Sequence, residues 1–199
     1  MRNNYLTIFL AILALLGIIF ATTRATKQTF VQSTPNPSVI SLSTPSSSSS
    51  AVLKVRTKTS GCIAVNSLPD HDCTPGAIDP RVNQDNIQKT ICIPGYTKTV
   101  RPPVSFTNPL KLKIMQEYGD FNPPQNYEFD HLISLELGGN PTDGANLWPE
   151  PYQPIPGAHE KDHVENYLHS QVCAGAITLQ QAQQQISQNW LEVYKKISQ

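Results

Sequence analysis

Residues 127–151 read YEFDHLISLELGGNPTDGANLWPEP, and the reading of this stretch decides the rest of the chain. Its first part, Tyr127-Glu128-Phe129-Asp130-His131-Leu132-Ile133, interleaves aromatic and apolar residues with charged ones, the pattern of a half-buried strand. Gly138-Gly139-Asn140-Pro141 then gathers four turn formers. The chain turns apolar again at Asn146-Leu147-Trp148 and breaks on Pro149 and Pro151. After a proline-rich bend, a helical pattern begins near Ala158. The expected order is strand, loop, short strand, helix, within an α+β fold. That order can bring Asp130, His131, Asn146 and the first helical turn within reach of one another.

These residues resemble the HNH endonuclease family, whose core is a ββα-metal hairpin. The resemblance is carried by the Asp130-His131 pair followed by apolar residues, then Gly138-Gly139, then Asn146-Leu147, in that order and spacing. The NLWPEPY and AHEKDHVENYLHSQVC runs look like an exported bacterial branch of the family. The likeness extends loosely over residues 60–199, with the chemistry confined to residues 127–163. The Cys pairs with which some members pin the hairpin through zinc are not present. Packing and disulfides must therefore hold the site.

Phosphodiester hydrolysis requires a deprotonated water, an offset for charge developing on phosphorus, and a stabilised leaving oxygen. An imidazole titrating near neutrality suits the first task. The resemblance implies His131 as general base and Asp130 as ligand of one divalent ion, magnesium or manganese first, zinc or nickel as alternatives. Asn146 would either ligate that ion or hold the hairpin so that His131 points correctly. His159 and His163, at the start of the helix, would supply the remaining metal-side position. The implied substrate is nucleic acid, DNA ahead of RNA, and the expected state is a monomer. One geometric objection stands against this set. Neighbours on a regular strand point to opposite faces, so Asp130 and His131 serve one phosphate only if the strand ends or bulges there.

Each residue also has a plainer reading. Asp130 could be an ordinary surface carboxylate, His131 a hydrogen-bonded core histidine and Asn146 a turn cap. Glu128, Glu136 and Glu150 are read as solvated, Trp148 as packing beneath the hairpin, and His71 and His169 as surface residues. Residues 159–163 also spell His-Glu-Lys-Asp-His, formally the zinc-protease helix signature with Glu160 as base. Lys161 and Asp162 fill positions that are usually more apolar when such a helix is buried, and no third ligand is evident. A third reading is a non-catalytic, envelope-tethered binding module that kept the hairpin.

The flanking sequence sets the compartment. Residues 5–21 form an apolar run broken only by Thr7 and Gly17. Its 17 residues are short for a membrane span and long for the core of a signal peptide. A cleaved signal and a signal anchor within residues 1–25 both fit, the latter with N-terminal membrane association. Residues 26–50 are rich in Ser, Thr and Pro and read as a flexible tether. The folded domain is expected over residues 51–199, outside the cytosol: periplasmic, anchored facing outward, or secreted. Three of the 15 Lys and Arg precede residue 51, leaving 12 against all 15 Asp and Glu, a net charge near −3. Such a balance argues against gripping DNA by bulk charge. Lys98, Arg101, Lys111 and Lys113 form the one sustained basic stretch and are the candidates for substrate phosphate contacts.

Four cysteines in an exported chain suggest two disulfides. Of three pairings we favour Cys62–Cys73 and Cys92–Cys173, the second tying the chain before the hairpin to the helix after it, a constraint worth about 4 kcal/mol. A Cys-based zinc site is disfavoured because no Cys-x-x-Cys occurs. Residues 54–105, rich in turn formers, are expected as loops and short extended pieces. Asn108-Pro109 reads as a helix start, with Leu110 and Ile114 laid on the hairpin. Val164, Leu168 and Val172, with Tyr167 beside them, mark the buried stripe of a helix over residues 158–173. Thr178 with Gln181 forms a capping-box pattern opening a last helix. Its apolar face runs from Leu179 to Ile197 and its glutamines form the wet face.

Overall fold

The computed structural model describes residues 55–199. The expected signal segment and the tether lie outside the described residues. Two strands, β1 (Tyr127–His131) and β2 (Leu147–Pro151), form an antiparallel hairpin. Helices α1 (Tyr96–Val100) and α2 (Val104–Glu117) precede it, and α3 (Ala158–Cys173) and α4 (Leu179–Ile197) follow it. Short 3-10 turns occur at Gln84–Lys89, Pro124–Asn126 and Leu135–Leu137. The α+β class expected from the sequence is present. Among the described residues no helix is long and apolar enough to cross a membrane.

The strand register explains how β2 accommodates two prolines. Tyr127 pairs with Pro151, Phe129 with Pro149 and His131 with Leu147. The Leu132 N–H donates to the Asn146 carbonyl at 2.8 Å, and the Tyr152 N–H to the Asn126 carbonyl at 3.1 Å. In an antiparallel ladder such bonded pairs alternate with non-bonded ones. Pro149 and Pro151 therefore fall at non-bonded positions, where the ladder asks for no N–H. The sequence breaks expected at these prolines do not occur.

Helices α3 and α4 make the main core. Val164, Leu168 and Val172 of α3 are fully buried, as are Ala182, Ile186 and Trp190 of α4. Burial of each large apolar side chain contributes about 1.5–3 kcal/mol. The Thr178 hydroxyl accepts the Gln181 N–H at 3.1 Å and the Gln181 side chain accepts the Thr178 N–H at 2.8 Å, so the capping box is formed. Two details depart from expectation. Tyr167 lies outside the stripe, 41% exposed. Gln183 is buried, its amide donating to the Leu137 carbonyl at 2.9 Å, so one glutamine belongs to the core rather than the wet face.

Helix α2 begins at Val104, a turn and a half before the expected start, and Pro109 lies inside it. The Pro103 carbonyl accepts from Phe106 and Thr107 and closes the first turn without a side-chain cap. Pro109 then costs one intrahelical bond. Ile114 is buried as expected, and Tyr118, just past the helix, sets its ring against Trp148 with centroids 6.2 Å apart. Trp148 is fully buried beneath the hairpin. The turn-rich region ahead of α2 contains α1 and one 3-10 turn besides loops. Both disulfides have the favoured pairing, Cys62–Cys73 and Cys92–Cys173.

Candidate functional site

The loop between the strands is closed by its glycines and by Asn146. Gly138 has φ +71° and ends the 3-10 turn Leu135–Leu137. Gly139 is needed for a different reason: a Cβ there would lie 1.8 Å from the Ile133 carbonyl oxygen and 2.9 Å from the Asn146 Nδ2. Asn146 is fully buried, and all of its polar capacity goes to backbone. Its Oδ1 accepts the N–H of Ile133 at 2.9 Å and of Ala77 at 3.3 Å. Its Nδ2 donates to the carbonyls of Ile133 at 3.0 Å and Asn140 at 3.1 Å. Of the two roles expected for Asn146, this is the holding role. An oxygen already accepting two N–H groups has no lone pair left for a metal.

His131 ends β1 and is buried, 6% exposed. Its Nε2 lies 3.1 Å from the Pro141 carbonyl in the clipped loop. A carbonyl only accepts, so Nε2 carries the proton and Nδ1 carries the lone pair. Burial holds the pKa below that of an ordinary histidine, and the Arg101 and Lys161 charges add to this. Asp130 and the Pro141 bond act the other way without cancelling it. The ring at neutral pH is therefore a neutral base in a fixed tautomer. Arg101 is exposed, and its charge is near enough to be felt at His131.

Asp130 faces a separate set of partners. Its Oδ2 accepts from the Lys161 ammonium at 2.6 Å. The same ammonium donates to the His131 carbonyl at 3.0 Å and to a Glu165 carboxyl oxygen. Lys161 is 1% exposed. Burial opposes its charge, but Asp130, Glu165 and Glu150 outweigh that and hold its pKa well above the ordinary value. Burial raises the Asp130 carboxyl and Lys161 brings it back below the usual range. Glu150, expected to be solvated, is fully buried. Neither of its oxygens has a hydrogen-bond partner, and Lys161 and the Asp130 carboxylate are its charged neighbours. Burial raises Glu150 well above the carboxylate range and Glu165 to about 8. Glu128, paired directly across from Glu150, is raised as well, by burial and then by Asp130.

The remaining expected ligands are elsewhere. His159 is exposed and stacks on Tyr152 with centroids 4.8 Å apart, and His163 is exposed. The Glu160 carboxylate accepts the Gly157 N–H at 2.8 Å and caps α3, which removes the base of the zinc-protease reading. Lys111 donates to the carbonyls of Pro124 at 2.6 Å and Tyr127 at 2.7 Å, so it binds backbone rather than standing ready for phosphate. Lys98 and Lys113 are exposed. Among the described residues, one group of three His, Cys, Asp or Glu side chains is close enough to hold a metal: Cys92, His169 and Cys173, with ligand atoms within 4.8 Å. Its two sulfurs form the disulfide and have no thiolate to offer. His169 is partly buried and bonded to the Ile91 carbonyl at 2.9 Å, not a free surface residue.

The expected ligand set of Asp130, Asn146, His159 and His163 is thus not assembled. Asp130 and His131 do point to different partners, as strand alternation requires. Asp130 and Lys161 meet across the hairpin and helix, while Asn146 is saturated and both helix histidines face solvent. The residues present do not fit a divalent ion at Asp130. Comparison with protein-family models, with curated proteins and with solved structures found no match. The residues that matter and were given no part in the expected site are Lys161, Glu150 and Glu165. A sequence signal existed for one of them: Lys161 stands on the α3 face of Val164 and Leu168, where a solvated lysine is out of place.

Proposed function

We propose that this chain is an exported phosphodiester hydrolase of the HNH type acting on nucleic acid, DNA first. The observation that carries the reading is the state of His131: a buried, neutral imidazole at the end of β1, its Nε2–H fixed on the Pro141 carbonyl and its Nδ1 lone pair left as base. Nδ1 takes a proton from water, the water oxygen bonds to phosphorus, and the phosphorus bond to the leaving oxygen breaks. The leaving oxygen collects a proton from solvent. Arg101, close enough to influence His131, supplies a guanidinium for the non-bridging phosphate oxygens. Two disulfides are in keeping with the oxidising compartment expected of an exported chain.

Plasmid nicking by the protein tests the reading. His131→Ala is expected to slow nicking by about 10²–10⁴-fold, the usual contribution of a general base, with the circular-dichroism spectrum unchanged. Nicking by His131→Ala at the wild-type rate would overturn it. Complete inactivity of the folded wild type on DNA and RNA would favour the binding-module reading instead.

A further inference from the structure

We propose that the Lys161 ammonium is the resident cation of the hairpin, occupying the place between Asp130, Glu165 and the His131 carbonyl that a divalent ion would need. The inference deepens the nuclease reading, since it names the cofactor class of that site as none. Three observations carry it. The ammonium meets three oxygens from three residues, two carboxyls and one carbonyl, which uses all three of its protons. Those oxygens are the hard donors that magnesium, manganese and calcium select. Glu150, fully buried with both oxygens lacking a donor, adds a further carboxyl against Asp130.

A side-chain amine differs from a metal in two ways that matter. It cannot dissociate from the protein, so the charge that fixes the end of β1 is present whatever the ion content of the surroundings. It also has no coordination position for water or phosphate once its protons are used. Lys161 therefore positions His131 through the backbone carbonyl and does not touch substrate. Removing the amine leaves the same oxygens around an empty cation position.

Manganese binding to the full chain, followed by electron paramagnetic resonance, decides the matter without reference to activity. Wild type is expected to show no uptake at millimolar Mn²⁺ that Asp130→Asn abolishes. Lys161→Ala is expected to gain one Mn²⁺ per chain, and Lys161→Ala combined with Asp130→Asn to lose it again. If Lys161→Ala is unfolded alone, Mn²⁺ should restore its circular-dichroism spectrum. Asp130-dependent Mn²⁺ binding by wild type overturns the proposal. So does a Lys161→Ala chain that takes up no Mn²⁺, or one that folds neither with nor without it. Wherever wild-type nicking is measurable, it should persist in EDTA, and its loss there also overturns the proposal. Absence of nicking by wild type would defeat the nuclease reading and leave the manganese result standing.

Discussion

Two supports flank His131, and they are built from opposite chemistry. On the loop side, Asn146 makes four neutral bonds to backbone and leaves none of its polar atoms free. On the helix side, Lys161 gathers Asp130, Glu165 and the His131 carbonyl, with Glu150 buried beside them. The neutral support is complete and indifferent to pH. The charged support depends on which carboxyls hold protons, and it draws on residues far apart in the chain. A buried charge is costly unless compensated, so the second support sets a condition on the environment that the first does not.

The largest effect that would break this comparison is expected at Asn146. Asn146→Ala removes the partners of both Ile133 backbone groups and of the Ala77 N–H and Asn140 carbonyl. Urea unfolding should show a loss of about 3 kcal/mol or more, the same at acid and neutral pH. A loss that varied with pH would show that the two supports are not separate. Gly139→Ala comes next. The added methyl meets the Ile133 carbonyl, and the loop must shift at a cost of about 1–3 kcal/mol, again by urea titration.

The charged support predicts a pH slope. Burial raises Glu165 to about 8 in the folded protein, against an ordinary value of 4.5. A carboxyl raised on folding favours the native state below the unfolded pKa, and this advantage disappears as pH climbs through the folded one. The melting temperature of wild type should therefore fall as pH rises from about 4.5 to about 8. Glu165→Gln should flatten that fall; an unchanged slope would show that Glu165 does not hold its proton. The smallest effect concerns His131 itself. Its depressed pKa places the acid limb of the nicking profile below the ordinary histidine value of 6.5. Arg101→Gln removes a charge that lowers that pKa, so the limb should move towards higher pH.

Much of the fold was readable because its signals are local. The alternation through Phe129 and His131, the Gly138-Gly139 turn, the capping box at Thr178 and the four-residue spacing of Val164, Leu168 and Val172 all lie within one or two turns of chain. Local signals misplaced α2, because Pro109 offers a good helix start and nothing nearby shows that the Pro103 carbonyl provides an earlier one. Of the charged support only Lys161 left a local trace, on the apolar face of α3. Asp130 and Lys161 are 31 residues apart, and their meeting depends on where α3 docks. Glu150 lies between two prolines and was read as solvated. Only the strand register shows that Pro149 and Pro151 occupy positions where a strand tolerates them, and so that Glu150 faces inward. The site was anticipated as a constellation of ligands, and what converges is a base on one side and an ion pair on the other.

The arrangement of lysines and prolines along the hairpin also bears on solubility. The outward carbonyls of β1 at Tyr127 and His131 are taken by Lys111 and Lys161. The outward positions of β2 include Pro149 and Pro151, which have no hydrogen to give. A strand from a second molecule would find two carbonyls of β1 already engaged and two N–H groups of β2 missing. A ribbon of only two strands is in this way less open to growth by addition of further strands.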